Sequence, residues 1–205
     1  MTKTIPDQTL LADLLEESAE RHRHLCPRQV LGVRLGLRGL RELGLVDRRG
    51  CPRFVNHRKR LLTISETDGC ALDGIAVATN CEVGRRTLRV MDFGKVAATV
   101  VDTRNERAVR VSPSPASRQL AQKYAPDARS RWHAYLEAYQ HIPDESLLVV
   151  QSVRLKQSIE EIVSKPSARA KCDECGEEII NEREVTFGER VLCRSCAGDQ
   201  YYNVT

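Results

Sequence analysis

The sequence predicts an α+β protein: a mixed sheet with helices packed against it, followed by a small module held together by metal. Three observations carry that reading. Apolar residues recur at helical spacing in some segments and β-branched residues gather in others, in the order ααβαβββααβ. Four cysteines late in the chain stand in two C-x2-C pairs. The charge is also divided. From Cys172 onward 3 Lys/Arg face 8 Asp/Glu, a net of −5, so the preceding residues carry +9 although the whole chain carries +4. The polar stretch "SKPSARAK", residues 164–171, contains Pro166 and reads as a linker between a core domain at 1–163 and a module at 172–205.

Asp7 is placed to cap a first helix whose apolar residues are Leu10, Leu11, Leu14, Leu15 and Ala19. A second helix runs from Pro27 to about Leu43. On it Gly32, Gly36 and Gly39 share one face, while Arg34, Arg38 and Arg41 lie opposite. Each glycine costs a helix about 1 kcal/mol relative to alanine. Three on one face therefore call for the close approach of another helix or a sheet, and the same stripe suggests a homodimer interface. "LLTISE", 61–66, reads as a strand and "CALDGIAVAT", 70–79, as a helix. "TLRVMDFG", "KVAATVVDT" and "RAVRVS" read as three strands of a meander. Helices follow at 115–125 and 127–141, the second with Trp132, Tyr135, Leu136 and Tyr139 along one side, and "LLVVQSVRL" closes the domain as a strand.

In the C-terminal module, Cys172, Cys175, Cys193 and Cys196 have the spacing of a four-thiolate structural zinc site. Gly176 follows the first pair, where a tight knuckle needs a residue without a Cβ. The stretch between the pairs predicts a hairpin turning at Phe187 and Gly188, and the second pair is expected to open a short helix from Ala197 to Tyr202. Together these describe a treble-clef or ribbon-like finger whose folding energy comes from the metal. Its acidity sets it against phosphate, so a structural or protein-binding role is expected.

No apolar run approaches the length of a membrane span, and "MTKTIPDQTLLADLLEE" lacks the apolar stretch of a signal peptide. A cytoplasmic protein is expected, in which eight cysteines serve metal binding or chemistry rather than disulfides. Two clusters stand out in the core domain. "RHRHLCPRQVLG" supplies His22, His24 and Cys26, with Cys26 just before Pro27 at a helix start, where a thiolate is favoured. An extended backbone there points alternate side chains the same way. "ETDGCALDGIAVATNC" supplies Asp68, Cys70, Asp73 and Cys81, with Cys70 at a second helix start. Cys51, in "RRGCPRF", has no such company. Gly-rich phosphate loops, dinucleotide fingerprints and nucleophile elbows are absent.

At these residues the chain resembles the formylmethanofuran dehydrogenase FmdE family. "HRHLCPRQVLGVRLG" is similar to the signature "HGHLCPG…LG", and "TDGCALDGIAVATNCEVG" and "VMDFGKVAATVV" match the next two blocks. The resemblance implies a thioredoxin-like α+β domain with a mixed sheet, a treble-clef finger holding structural zinc, and frequent homodimers. It further implies a catalytic or metal site drawn from His22, His24, Cys26, Asp68, Cys70, Asp73 and Cys81, with a second metal, zinc by ligand type, as its cofactor. Arg23 and Arg28 stand where the signature has glycine, and two guanidiniums there suit a small anionic ligand.

Three functions follow in order. The first is a metal-binding or thiol-bearing accessory or subunit-like protein in the metabolism of a molybdenum or tungsten enzyme. The second is a stand-alone redox or zinc-dependent enzyme, with a Cys26–Cys70 or Cys70–Cys81 pair as its metal-free form. The third is a nucleic-acid-binding regulator using the basic 21–60 stretch. That last role is disfavoured, because aromatic residues make up only 4% of the chain and leave few surfaces for bases to stack on.

Overall fold

The computed structural model describes residues 4–48, 50, 56–165 and 167–203, so Cys51 lies outside the described residues. The chain forms two compact units, residues 1–155 and 156–205. No described helix is long and apolar enough to cross a membrane.

In the first unit α1 (Gln8–His22) starts where expected, with the Asp7 carboxylate accepting the Leu10 N–H at 2.9 Å. The centre of the unit is α2 (Pro27–Glu42), twelve of whose sixteen residues are buried. One face of α2 packs on α3 (Ala71–Thr79) and the others on α5 (Arg131–His141) and the sheet. The glycines explain the closeness. A Cβ on Gly32 would run into the Ala71 carbonyl oxygen, one on Gly36 would lie 2.7 Å from the Ala78 methyl, and one on Gly39 would press on Val100. In return, Gly74 of α3 admits the Gln29 carbonyl of α2. The stripe is thus consumed within one chain by a helix and a sheet, and it does not furnish the dimer interface it suggested.

The sheet contains β1 (Leu61–Ser65), β2 (Leu88–Val90), β3 (Ala98–Asp102), β4 (Arg107–Pro113) and β5 (Leu148–Val153), in the order β2-β1-β3-β4-β5. It is a mixed sheet: β1 pairs β2 in parallel, and every other pairing is antiparallel. The expected meander is therefore corrected. A parallel pair needs a crossover, which α3 supplies, and β1 inserts itself between β2 and β3. The core gathers Val30, Val33, Leu35 and Leu40 of α2, Ile75 of α3, Leu61 of β1 and Val100 of β3.

The far side of α2 is polar but not free. Arg34 is fully buried; its guanidinium donates to Asp144 at 2.6 Å and to the carbonyls of Tyr139 and Ile142. Arg41 meets the other Asp144 oxygen at 2.8 Å, and Arg38 pairs with Glu42. Asp144 opens α6 (Asp144–Leu147), a one-turn helix between α5 and β5 that periodicity does not reveal.

The second unit begins with α7 (Ile159–Val163), capped by a Ser158–Glu161 box, and continues as two hairpins. These are β6 (Arg169–Lys171) with β7 (Glu178–Ile180), and β8 (Val185–Phe187) with β9 (Arg190–Leu192). The expected linker at 164–171 therefore ends in a strand, and the unit starts upstream of it. The β8–β9 hairpin turns at Gly188 with φ +63°, as read from the sequence. Turns occupy the stretch after Cys196 where a short helix was expected.

Candidate functional site

The second unit holds a formed metal site. The hairpin turns carry one cysteine pair each, and the four sulfurs of Cys172, Cys175, Cys193 and Cys196 lie within 4.8 Å of one another. Cys175 and Cys193 are 3.9 Å apart. Tetrahedral zinc at about 2.3 Å per sulfur sets the sulfurs about 3.8 Å apart, so the arrangement fits that ion. Backbone N–H groups point at the cluster: Cys193 N donates to the Cys172 sulfur at 3.3 Å, and Cys196 N to the Cys193 sulfur at 3.4 Å. The first of these, with the amides of Cys175 and Glu174, draws the Cys172 thiol down to about 6. Its neighbours push Cys196 up to about 12, since four thiols this close cannot all ionise without a cation.

In the first unit, α1 ends at His22 because Arg23 turns left-handed, with φ 65°. The chain bends, the His22 and His24 rings come to 4.8 Å, and Cys26 becomes the N-cap of α2. Gln29, fully buried, fixes this corner. Its Oε1 accepts from Cys26 N at 2.7 Å, and its Nε2 donates to the Ser18 carbonyl at 2.8 Å, tying α1 to α2.

Cys70 is the N-cap of α3, and the packing of α2 on α3 through Gly32 and Gly74 brings the two caps together. Cys26 and Cys70 come within hydrogen-bonding reach. Both are free thiols. Burial raises the Cys26 thiol above its ordinary value and Cys70 adds to this, while the Gln29 and Arg28 amides oppose it. The helix start does favour thiolate, as expected, but desolvation outweighs it.

These residues line a cleft of about 500 Å3 with His24 at its rim. One wall is aromatic: Trp132, Tyr135 and Tyr139 of α5, the two tyrosines stacked at 5.7 Å. Arg28, and Arg118 of α4 (Ser117–Tyr124), line it from another side. A second, polar pocket of about 750 Å3 shares Arg28, Val96, Pro113 and Arg118 with it and adds Asp68, Asp92, Lys95 and Arg110.

The residues singled out in the sequence thus separate. His24, Cys26 and Cys70 share the cleft. His22 turns to Asp73, with Nδ1 2.8 Å from Oδ2. Asp68 lines the polar pocket instead. Arg28 lines both cavities and Arg23 neither. Cys81 does not join them. It follows the far end of α3, about 13 Å of helix from Cys70. There it is fully buried, accepting from Thr63 Oγ1 and facing the Leu61 carbonyl, and burial pushes its thiol up. A Cys70–Cys81 pair is excluded by the same separation.

Arg34, Arg38, Arg41 and Arg60 all engage carboxylates inside the unit, which removes much of the basic face that a nucleic-acid reading required. Sequence reasoning missed Arg118 and Lys95, which reach the site only through the fold. Among the described residues, the finger cysteines form the one cluster of His, Cys, Asp or Glu ligand atoms close enough to hold a metal as they stand.

Comparison with known proteins follows this division. Residues 167–202 match the prokaryotic dksA/traR C4-type zinc finger. A protein from Archaeoglobus fulgidus, described as a probable S-adenosyl-L-methionine-binding protein, is 26% identical over 213 residues, covering 95% of this chain and 55% of that one. The chain thus spans about half the length of the curated relative it matches. A solved FmdE-like protein of tungsten formylmethanofuran dehydrogenase, from Syntrophus aciditrophicus, aligns with a TM-score of 0.61 at 20% identity, covering 99% of this chain and 100% of the other. At that identity the likeness is one of fold. The model described as "FmdE, Molybdenum formylmethanofuran dehydrogenase operon" matches residues 21–149, well over half of the chain and the whole of the thiol cleft, so this chain belongs to the FmdE family.

Proposed function

We propose that the chain is an accessory or subunit-like protein of formylmethanofuran dehydrogenase-type metabolism in the cytoplasm, with the cleft of His24, Cys26 and Cys70 as its working site. The observation that carries this reading is the meeting of two helix-capping thiols beside an imidazole at the mouth of a cleft. One nitrogen and two sulfurs are a zinc donor set, and three protein ligands leave a fourth position for water or substrate. The fit is one of donor type, since binding would draw His24 in from its exposed position. His22, engaged by Asp73, then positions the chain rather than ligating. In the finger, zinc would supply folding energy, and its acidic surface would meet protein partners, molybdenum or tungsten enzyme subunits first among them. The homodimer implied by family membership would have to use a surface other than the glycine face of α2.

Elemental analysis of the full chain purified without oxygen tests the reading. The expected result is two zinc ions per chain, falling to one in Cys26→Ser and in Cys70→Ser. One zinc in the wild type, with Cys26 and Cys70 recovered as a disulfide, would instead support a redox dithiol. One zinc with both thiols free would sink both forms.

A further inference from the structure

The junction of the two cavities carries a charge that no described residue neutralises. Arg28 and Arg118 line both the aromatic cleft and the polar pocket, and Lys95 lines the pocket. All three side chains are exposed, and none is engaged by a hydrogen bond or ion pair among the described residues. The other cation there, Arg110, is already held by Glu66 in a two-pronged pair at 2.5 and 2.8 Å. Two carboxylates line the same pocket. Asp92 accepts the Gly94 N–H and Asp68 is exposed, so neither cancels the arginines at the junction. Among the described residues, no carboxylate lines the aromatic cleft. An uncompensated pair of guanidiniums at the mouth of an apolar cleft is a recognition pattern for an oxyanion attached to a flat apolar body.

We propose that this composite site binds a planar aromatic molecule carrying a phosphate group. The ring lies in the cleft against Trp132 and Tyr135, and the dianionic phosphate sits between Arg28 and Arg118 with Lys95 behind it. The inference rests on reading the cleft as the working site, and it names the class of molecule brought to the thiols. Aromatic faces supply stacking for the ring. Arginine supplies paired donors for phosphate, and the nearby starts of α2 and α3 add the same sign of field.

The test uses 1-naphthyl phosphate as probe on the full chain, by calorimetry and by the indole N–H resonance of Trp132, the only tryptophan in the sequence. Binding should shift that resonance. Arg118→Ala and Arg28→Ala, both at exposed positions, should each weaken binding by at least about tenfold, as expected for a charged hydrogen bond. The affinity should also fall with added salt. The uncharged 1-naphthol and the singly charged 1-naphthoate should bind more weakly, and Arg118→Ala should leave 1-naphthol unaffected. Trp132→Ala should weaken 1-naphthyl phosphate while leaving inorganic phosphate unchanged. No shift of the indole resonance, equal affinity for 1-naphthol, or indifference to Arg118→Ala would overturn the site; tighter binding of 1-naphthoate would overturn the assignment to phosphate. Cys70→Ser separates this inference from the metal reading, because it should remove a zinc ion yet leave 1-naphthyl phosphate binding intact.

Discussion

Arg23 holds φ 65° and ψ −2° at the end of α1, a conformation that costs an L-residue roughly 1 kcal/mol and glycine almost nothing. The FmdE signature has glycine there. The bend is what turns His24 back beside His22 and hands the chain to Cys26, so the backbone shape survives while its natural residue does not. Arg23→Gly should therefore stabilise the first unit by about 0.5–1 kcal/mol in urea unfolding, entropy of the unfolded chain taking back part of the gain. Equal or lower stability would show that the left-handed bend carries no such cost. Cys26 teaches a related lesson. Its place before Pro27 announces a helix start, and the amides of Arg28 and Gln29 do act on the sulfur, yet burial decides the direction of the shift. Burial is a property of the fold and not of the local string.

At the scale of elements, α2 was the most legible part of the chain. Its limits, its glycine face and its need for a close neighbour all follow from local spacing. The identity of the neighbour does not, because spacing says that something approaches and not what. Gly32→Ala sets a methyl against the Ala71 backbone carbonyl, which cannot move without shifting α3. That overpacking should cost about 1–3 kcal/mol of stability, while Gly84→Ala, which meets nothing within 4 Å, should stay within about 0.5 kcal/mol. Similar effects from the two variants would contradict the packing described. The sheet was less legible. Each strand was found, yet the order was not, because consecutive strands pair often enough to suggest a meander and nothing local announces that β1 separates β2 from β3. The same limit applies to Asp144, whose partner Arg34 stands 110 residues away.

Over the whole molecule the two candidate centres differ in how far apart their parts lie in sequence. The finger was legible because its ligands fall within 25 residues at fixed spacing. The cleft was legible only in pieces, since it draws on α2, α3, α4, α5 and the Val96 loop. The energetics divide in the same way. The core of the first unit contains no residue beyond 155. The finger buries just Cys172, Ile179 and Leu192 as its cluster, with Ala170, Val191, Cys193 and Cys196 packed against it. Two buried aliphatic side chains contribute about 1.5–3 kcal/mol each, far below the cost of ordering some thirty residues at about 1 kcal/mol or more apiece, so the metal must supply the balance. Cys193→Ser removes one of the four thiolates and also the sulfur that accepts Cys196 N–H. In that variant, limited proteolysis should cut within residues 167–203 while residues 1–155 stay intact, and bound zinc should fall by one ion per chain. The thermal transition of the first unit should stay within a few degrees of the wild type, because its core is its own. Undiminished zinc with a protected finger would remove the metal from the folding argument, and loss of the first unit along with the finger would show that the two units fold as one.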